Sequence, residues 1–375
     1  MSARVLFYVQ HLLGMGHLYR ARRICDALHD AGFAVTLVSG GEPVAALRNT
    51  PYRALQLPPL KASSADFTGL ADADGNPVDE AYKAARRDAL LAAASDIAPD
   101  IAIIEAYPFG RRQVRFELVP FVEMLSSTGR TLVCCSVRDI LQAGRKPGRD
   151  RETVDILDRH FDAVLVHGDE RLARLADTFP LAGDIVPPVF HTGIVAPPRP
   201  APAAPTNEVL VTAGGGAVGA ALLQAAAEAA RDPRLAHLQF VLATGPNMPA
   251  PASARLAAMA GGNVAIVPFI DALASRLTGC ALSISQAGYN TVADILVAGC
   301  PSVLIPFAAG GETEQTVRAE ALQVAGRATL LRETALNGAS LAEAALGAIA
   351  APVGKIDLSL DGASATARIL ADLRG

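Results

Sequence analysis

Residues 281–315 read ALSISQAGYNTVADILVAGCPSVLIPFAAGGETEQ, and this stretch decides the fold. A short apolar run, Ala281 to Ile284, reaches a turn at Gln286–Gly288. An amphipathic pattern follows, with Thr291 and Asp294 on it and a stop at Gly299. A second apolar run, Ser302–Ile305, ends in Pro306–Phe307, and a Gly-Gly loop leads to Glu312, Glu314 and Gln315. Short apolar runs bounded by turn residues are buried strands, and the longer periodic piece between them is a helix. The order is therefore strand, turn, helix, strand, polar loop. All the polar groups follow strand carboxyl ends, where open α/β sheets bind ligands.

The same alternation extends outward in both directions. In the first half, strands are expected near Val5–Val9, Ala34–Ser39, Asp100–Ile104, Thr131–Cys135 and Ala163–Val166. In the second half they are expected near Glu208–Thr212, Gln239–Ala243, Val264–Val267, Ala281–Ile284, Ser302–Ile305 and Ala328–Leu331. Helical patterns separate them, as in βαβ units. Between the halves lies APPRPAPAAPT, residues 196–206, whose five prolines make a stiff spacer. The expected organisation is a Rossmann-like domain over 1–195, a linker over 196–206, and a second Rossmann-like domain over 207–357. A terminal helix within 358–375 is expected to pack back on the first domain. Ser63–Val78 reads as a long polar loop.

Bulk properties exclude several classes. A chain of 375 residues is long for one core. A net charge of −4 argues against nucleic acid as the main partner. The apolar runs are too short to span a bilayer, and the first residues pass straight into a strand pattern, so a cytoplasmic protein is expected. The five cysteines, Cys25, Cys134, Cys135, Cys280 and Cys300, lie on or beside apolar runs, with no Cys-x-x-Cys pair or His cluster. They read as reduced core residues, and no metal site is expected. Asp72-Ala73-Asp74 spells Asp-x-Asp in a polar loop with no strand before it and reads as loop composition.

Four constellations could carry chemistry. Gly14-Met15-Gly16-His17 follows the first strand and opens a helix whose free N–H groups suit an anion, with His17 able to move a proton. The same residues would also serve a plain turn with a capping His. Gly214-Gly215-Gly216-Ala217-Val218-Gly219 has phosphate-cradling composition. The strand after it ends without an acid, which ranks a dinucleotide below a mononucleotide diphosphate. Phe269-Ile270-Asp271 offers apolar flanks for a base, with Asp271 also suited to cap the next helix. Basic groups follow two strand ends of the first half: Arg111, Arg112 and Arg115, then Arg138, Arg145, Lys146, Arg149 and Arg151. They fit an anionic acceptor or an ordinary solvated face.

With these residues placed, the chain resembles the GT-B-fold glycosyltransferases, in particular the bacterial peptidoglycan N-acetylglucosaminyltransferase family and its uncharacterised relatives. The resemblance is stronger in the second half. It implies two Rossmann-like domains facing across a cleft, and an inverting, metal-independent transfer with a nucleotide sugar as substrate rather than cofactor. It matches Gly14, Gly16 and His17 to the family's first loop, and Gly214, Gly215, Gly216 and Gly219 to the donor diphosphate, with Ser285, Gln286 and Gly288. It matches Phe269 and Ile270 to the uracil, Thr291 and Asp294 to the ribose, and Glu314 and Gln315 to the sugar. Asp294 stands where the family has Glu, and Glu314 where it has Gln. Segments at Glu105–Gly110, Val137–Asp139 and Phe161–Asp169 resemble a less-studied branch. His17 is the first choice of catalytic group, with Glu105 and Asp139 as further choices for the base. A lipid-linked acceptor, as in the named family, would add peripheral contact with the inner membrane face. The opening Gly-x-Gly-His-x-x-Arg is also similar to a nucleotide-sugar hydrolase of nonulosonic-acid synthesis. Hydrolysis is therefore an alternative, and a non-catalytic nucleotide-sugar-binding subunit a second one.

Overall fold

The computed structural model describes residues 2–12, 14–63, 69–143, 146–214, 218–245, 248–354 and 356–375. Two compact units emerge. Unit 1 is Met1–Leu141, Arg145–Val195 and Asp361–Gly375, and unit 2 is Gln142–Gly144 and Ala196–Leu360.

Unit 1 runs β1 (Arg4–Val9), α1 (Gly16–Asp30), β2 (Ala34–Ser39), β3 (Arg53–Gln56), β4 (Lys61–Ala62), β5 (Leu70–Ala71), α2 (Glu80–Ile97) and β6 (Ile101–Glu105). It continues through α3 (Arg115–Ser127), β7 (Leu132–Arg138), α4 (Arg149–His160), β8 (Ala163–His167), α5 (Leu175–Thr178) and β9 (Val189–His191). Among the described residues its main sheet has the order β3-β2-β1-β6-β7-β8-β9, every pair parallel. The order reverses between β1 and β6. That switch point opens a crevice at the strand carboxyl ends. Parallel strands covered on both faces need continuous apolar runs, and β1 and β6 have them: Val5–Val9 and Ile101–Ile104 are all fully buried.

Unit 2 runs β10 (Glu208–Thr212), α6 (Ala220–Ala229), β11 (Gln239–Ala243), α7 (Ala250–Ala257), β12 (Val264–Val267), α8 (Leu273–Leu277) and β13 (Leu282–Ser285). Then come α9 (Tyr289–Ala298), β14 (Ser302–Leu304), α10 (Glu314–Val324), β15 (Thr329–Leu330) and α11 (Gly338–Ala350). Its parallel sheet has the order β12-β11-β10-β13-β14-β15, with the reversal between β10 and β13. The last helix, α12 (Gly362–Arg374), packs on α1 within unit 1.

Local chemistry sets several boundaries. Asp79 caps α2 by accepting from the Tyr82 N–H at 2.7 Å. Gly299 ends α9 in the left-handed region, φ 74°, which costs a glycine little. Asp271 does not cap α8: the residue before that helix is Ala272, itself left-handed at φ 46°, and Asp271 is exposed. Two edge strands, β3 and β9, were not expected from the sequence. Part of the stretch 63–78 is also ordered, because Leu70–Ala71 pairs antiparallel with Lys61–Ala62. Residues 64–68 lie outside the described part. The Asp72 carboxylate accepts from the N–H groups of Asp74 and Asn76, which makes Asp72–Asn76 a side-chain-supported turn.

Candidate functional site

Each unit presents polar groups at its own switch point. In unit 1, β1 leads into α1, and the first turn of α1 carries His17 and Arg20 three residues apart on one face. The end of β6 brings Glu105 under them. His17 Nδ1 lies 2.9 Å from Glu105 Oε1, and Arg20 donates to the same oxygen. Arg20 Nη2 is also 3.2 Å from His17 Nδ1. Glu105 is fully buried, and the His17 side chain is 19% exposed. Burial pushes the Glu105 carboxyl up, but the Arg20 guanidinium and the His17 hydrogen bond outweigh it and hold the group well below the usual carboxylate range. Burial lowers the His17 pKa well below its ordinary value, the nearby Arg111 adds to this, and Glu105 opposes it. At neutral pH the pair is therefore imidazole and carboxylate. The carboxylate fixes the ring proton on Nδ1 and leaves the Nε2 lone pair available.

Arg111 stands in the left-handed region at φ 60°, unusual for a residue with a side chain, and its Nε is buried without a hydrogen-bond partner among the described residues. Burial lowers its pKa to about 10. Asp139 is buried, and its carboxylate turns back to accept from the Ile140 N–H at 2.9 Å. Three other basic residues of the two clusters are spent on carboxylates. Arg112 and Arg115 both pair with Glu152, and Arg151 pairs with Asp184. Arg145 lies outside the described residues.

In unit 2 the carboxyl ends of β10 and β13 meet in register at Thr212 and Ser285. Both hydroxyls are buried with no hydrogen-bond partner among the described residues. Buried hydroxyls without partners are costly and call for an acceptor from outside. The helices after these strands, α6 and α9, begin at Gly219 and Gly288 with no side-chain cap, so their first N–H groups face the same end of the sheet. Gly219 has no alternative, since a Cβ there would fall 1.9 Å from that of Ala213. Gly214 has φ 58°. Gly215 and Gly216 lie outside the described residues. Gln286 is buried beside Gly214. Thr291 and Asp294, three residues apart, share the half-buried face of α9, opposite Val292, Ile295 and Leu296.

The structure corrects the expectation for Glu314 and Gln315 as loop residues. They start α10, and their acceptors turn inward. Glu314 is buried and pairs with Arg318 at 2.9 Å, one turn on. Gln315 Oε1 accepts from the N–H groups of Ala287, at 3.0 Å, and Phe307, at 3.2 Å. Arg318 donates to the Ala287 carbonyl and lies 5.5 Å from the Tyr289 ring centre. These side chains hold the β13–α9 turn in shape. Phe269 is 59% exposed while Ile270 is buried. Sequence reasoning missed Thr212 and Arg318. The spacing of Arg318 from Glu314 was the available signal for the latter.

Residues 209–352 match the model of the glycosyltransferase family 28 C-terminal domain. The chain is 34% identical over 109 residues to the UDP-N-acetylglucosamine--N-acetylmuramyl-(pentapeptide) pyrophosphoryl-undecaprenol N-acetylglucosamine transferase of Leuconostoc mesenteroides. That match covers 29% of this chain and 30% of the relative. The enzyme of the same name from Rhodospirillum centenum is 37% identical over 82 residues, 22% of each chain. The aligned region thus spans less than a third of these relatives. Among solved structures, Acinetobacter baumannii MurG superposes with a TM-score of 0.61 at 16% identity, over 99% of both chains. Spinosyn rhamnosyltransferase SpnG complexed with thymidine diphosphate superposes with a TM-score of 0.61 at 18% identity, over 99% of this chain and 100% of that one. The chain has the GT-B fold, its second unit matches the glycosyltransferase family 28 C-terminal domain, and it resembles the N-acetylglucosamine transferases named above.

Proposed function

We propose that the protein is an inverting glycosyltransferase that moves a sugar from a nucleotide-diphosphate donor, a UDP-sugar first, to an acceptor hydroxyl. The observation that carries this reading is the His17–Glu105 pair at the switch point of unit 1. The acceptor oxygen attacks the anomeric carbon while His17 Nε2 takes its proton, and the bond from that carbon to the diphosphate breaks. Glu105 stabilises the imidazolium that forms and keeps Nε2 as the reacting nitrogen. Glu105 is then the partner of His17 rather than a base itself.

The donor belongs to unit 2. The helix starts at Gly219 and Gly288 and the hydroxyls of Thr212 and Ser285 supply the donors a leaving diphosphate requires. They carry the proposal that no metal ion is needed. Asp294 and Thr291 face the ribose, and Phe269, with Ile270, the base. Glu314 and Gln315 act on the sugar through the turn they brace. The names of the relatives specify a lipid-linked pyrophosphoryl acceptor for those enzymes. An acceptor of that kind here would bring the protein to a membrane surface by peripheral contact. Among the described residues no helix is long and apolar enough to cross a membrane.

A thermal-shift screen over nucleotides and nucleotide sugars identifies the donor, since ligands of the folded state raise its apparent stability. With that donor, His17→Ala should lower turnover by roughly 10²–10⁴-fold and leave donor affinity intact. Wild-type turnover in the variant refutes the assignment. Rapid stoichiometric release of nucleoside diphosphate without acceptor would instead show a hydrolase, and donor binding with no turnover a binding subunit.

A further inference from the structure

The contacts of Glu105 continue past His17. Its second oxygen, Oε2, accepts from Ser136 Oγ on β7, the residue paired with Glu105 in the sheet. Ser136 Oγ lies 2.9 Å from His167 Nε2, and His167 Nδ1 lies 2.9 Å from Thr192 Oγ1. Ser136 and His167 are fully buried and Thr192 nearly so. Burial lowers the His167 pKa to about 3, with Arg20 adding to the effect, so its ring carries one proton.

The chain of bonds has one consistent polarity. Glu105 is ionised and can only accept, so Ser136 must donate to it. The Ser136 hydrogen is then used, and His167 must present Nε2–H to the serine oxygen. His167 Nδ1 is left as an acceptor, which the Thr192 hydroxyl fills. Thr192 has other acceptors in reach, the carbonyls of Gly193 at 3.0 Å and Val166 at 3.4 Å. The reverse arrangement would aim serine lone pairs at the carboxylate.

We infer that Ser136, His167 and Thr192 are positioning residues, a buried hydrogen-bond chain that fixes the orientation of the Glu105 carboxylate and so keeps the His17 ring proton on Nδ1. This deepens the reading of His17 as the base and rests on it. The charged groups that act on the carboxylate are Arg20 from α1 and Arg111 from the segment after β6, and Arg138 at the end of β7 acts on Arg111. With Ser136 gone, Oε2 loses the hydrogen bond from β7, the carboxylate can turn toward the guanidinium, and Nδ1–H is no longer imposed.

The test is the tautomer of His17, read from the ¹⁵N shifts of histidine-labelled full-length protein at pH 7.5, with its signals assigned by their loss in His17→Ala. The wild type should show the Nδ1–H form alone. In Ser136→Ala and His167→Leu the tautomer ratio should shift about fivefold or more toward Nε2–H, the effect of losing one net hydrogen bond. His167→Gln, whose amide N–H reaches the Nε2 position, should restore the single form. An unchanged tautomer in Ser136→Ala, with a wild-type circular dichroism spectrum, overturns the inference. Ser136→Ala removes one oxygen and carries the test if His167→Leu does not fold. No substrate enters this measurement, so its outcome is separate from whether the protein transfers a sugar.

Discussion

Replacing Glu105 by Gln keeps the shape of the side chain and removes one charge at the centre of unit 1. Glu105 accepts from His17, Arg20 and Ser136, and none of its surface reaches solvent. Arg20 is 1% exposed. Gln can present one oxygen to these donors, and its NH₂ must face at least one of them. Breaking a buried ion pair from one side costs about 3–5 kcal/mol, because the remaining charge stays buried. For a unit of roughly 200 residues that lowers the unfolding midpoint by roughly 6–20 °C. Differential scanning calorimetry at pH 7 gives the shift, and hydrogen exchange in β6 and β7 assigns it to unit 1. The pH dependence has a definite sign. The folded pKa of Glu105 lies below its ordinary value of 4.5, so the unfolded chain binds this proton more readily. Its contribution is fully present above about pH 5 and is lost as the pH falls further, so the gap between wild type and Glu105→Gln should narrow below about pH 4. A loss under about 1 kcal/mol at pH 7 would refute the argument, as would a gap that stays constant from pH 7 to the acid limit.

Three further outcomes follow from the same reasoning. Arg86 is fully buried and bonds Gln10, both oxygens of Glu117 and the Gly40 carbonyl; Arg86→Met should cost about 3–5 kcal/mol in urea unfolding, since among the described residues Glu117 keeps only Tyr8 as a donor. Thr212→Val and Ser285→Ala remove hydroxyls that have no partner among the described residues, so stability should stay within about 1 kcal/mol of wild type or rise, while UDP binding by calorimetry weakens about tenfold; unchanged affinity excludes both from the diphosphate site. Asp294→Ala should weaken UDP binding by about tenfold, the loss of one charge-assisted hydrogen bond, and unchanged affinity by calorimetry excludes it from the ribose role.

The interior strands were legible because a parallel sheet covered on both faces demands unbroken apolar runs. β2, β10, β11 and β12 were placed to the residue. The edge strands β3 and β9 were not, since Arg53–Gln56 and Val189–His191 are largely half-buried or exposed and have no such run. Glycine loops and His17 were visible from composition. Ser136, His167 and Thr192 were not, because strand register and tertiary packing bring them to Glu105, and no spacing along the chain marks it. Glu314 was misplaced for a simpler reason. Read as part of a loop, its four-residue spacing to Arg318 carried no meaning; on a helix it is an ion pair.

The return of the last helix has a consequence for how the chain is made. Val195 and Asp361 form an antiparallel bridge, and Gly362 lies so close to Gly193 that a Cβ there would meet the Gly193 carbonyl oxygen at 2.4 Å. Unit 2 is thus an insertion held between two segments of unit 1. Unit 1 cannot be completed until residues 362–374 emerge, because α1 lacks its neighbour α12 until then. The helix that carries His17 is thus buttressed by a segment that is made only after the whole of unit 2.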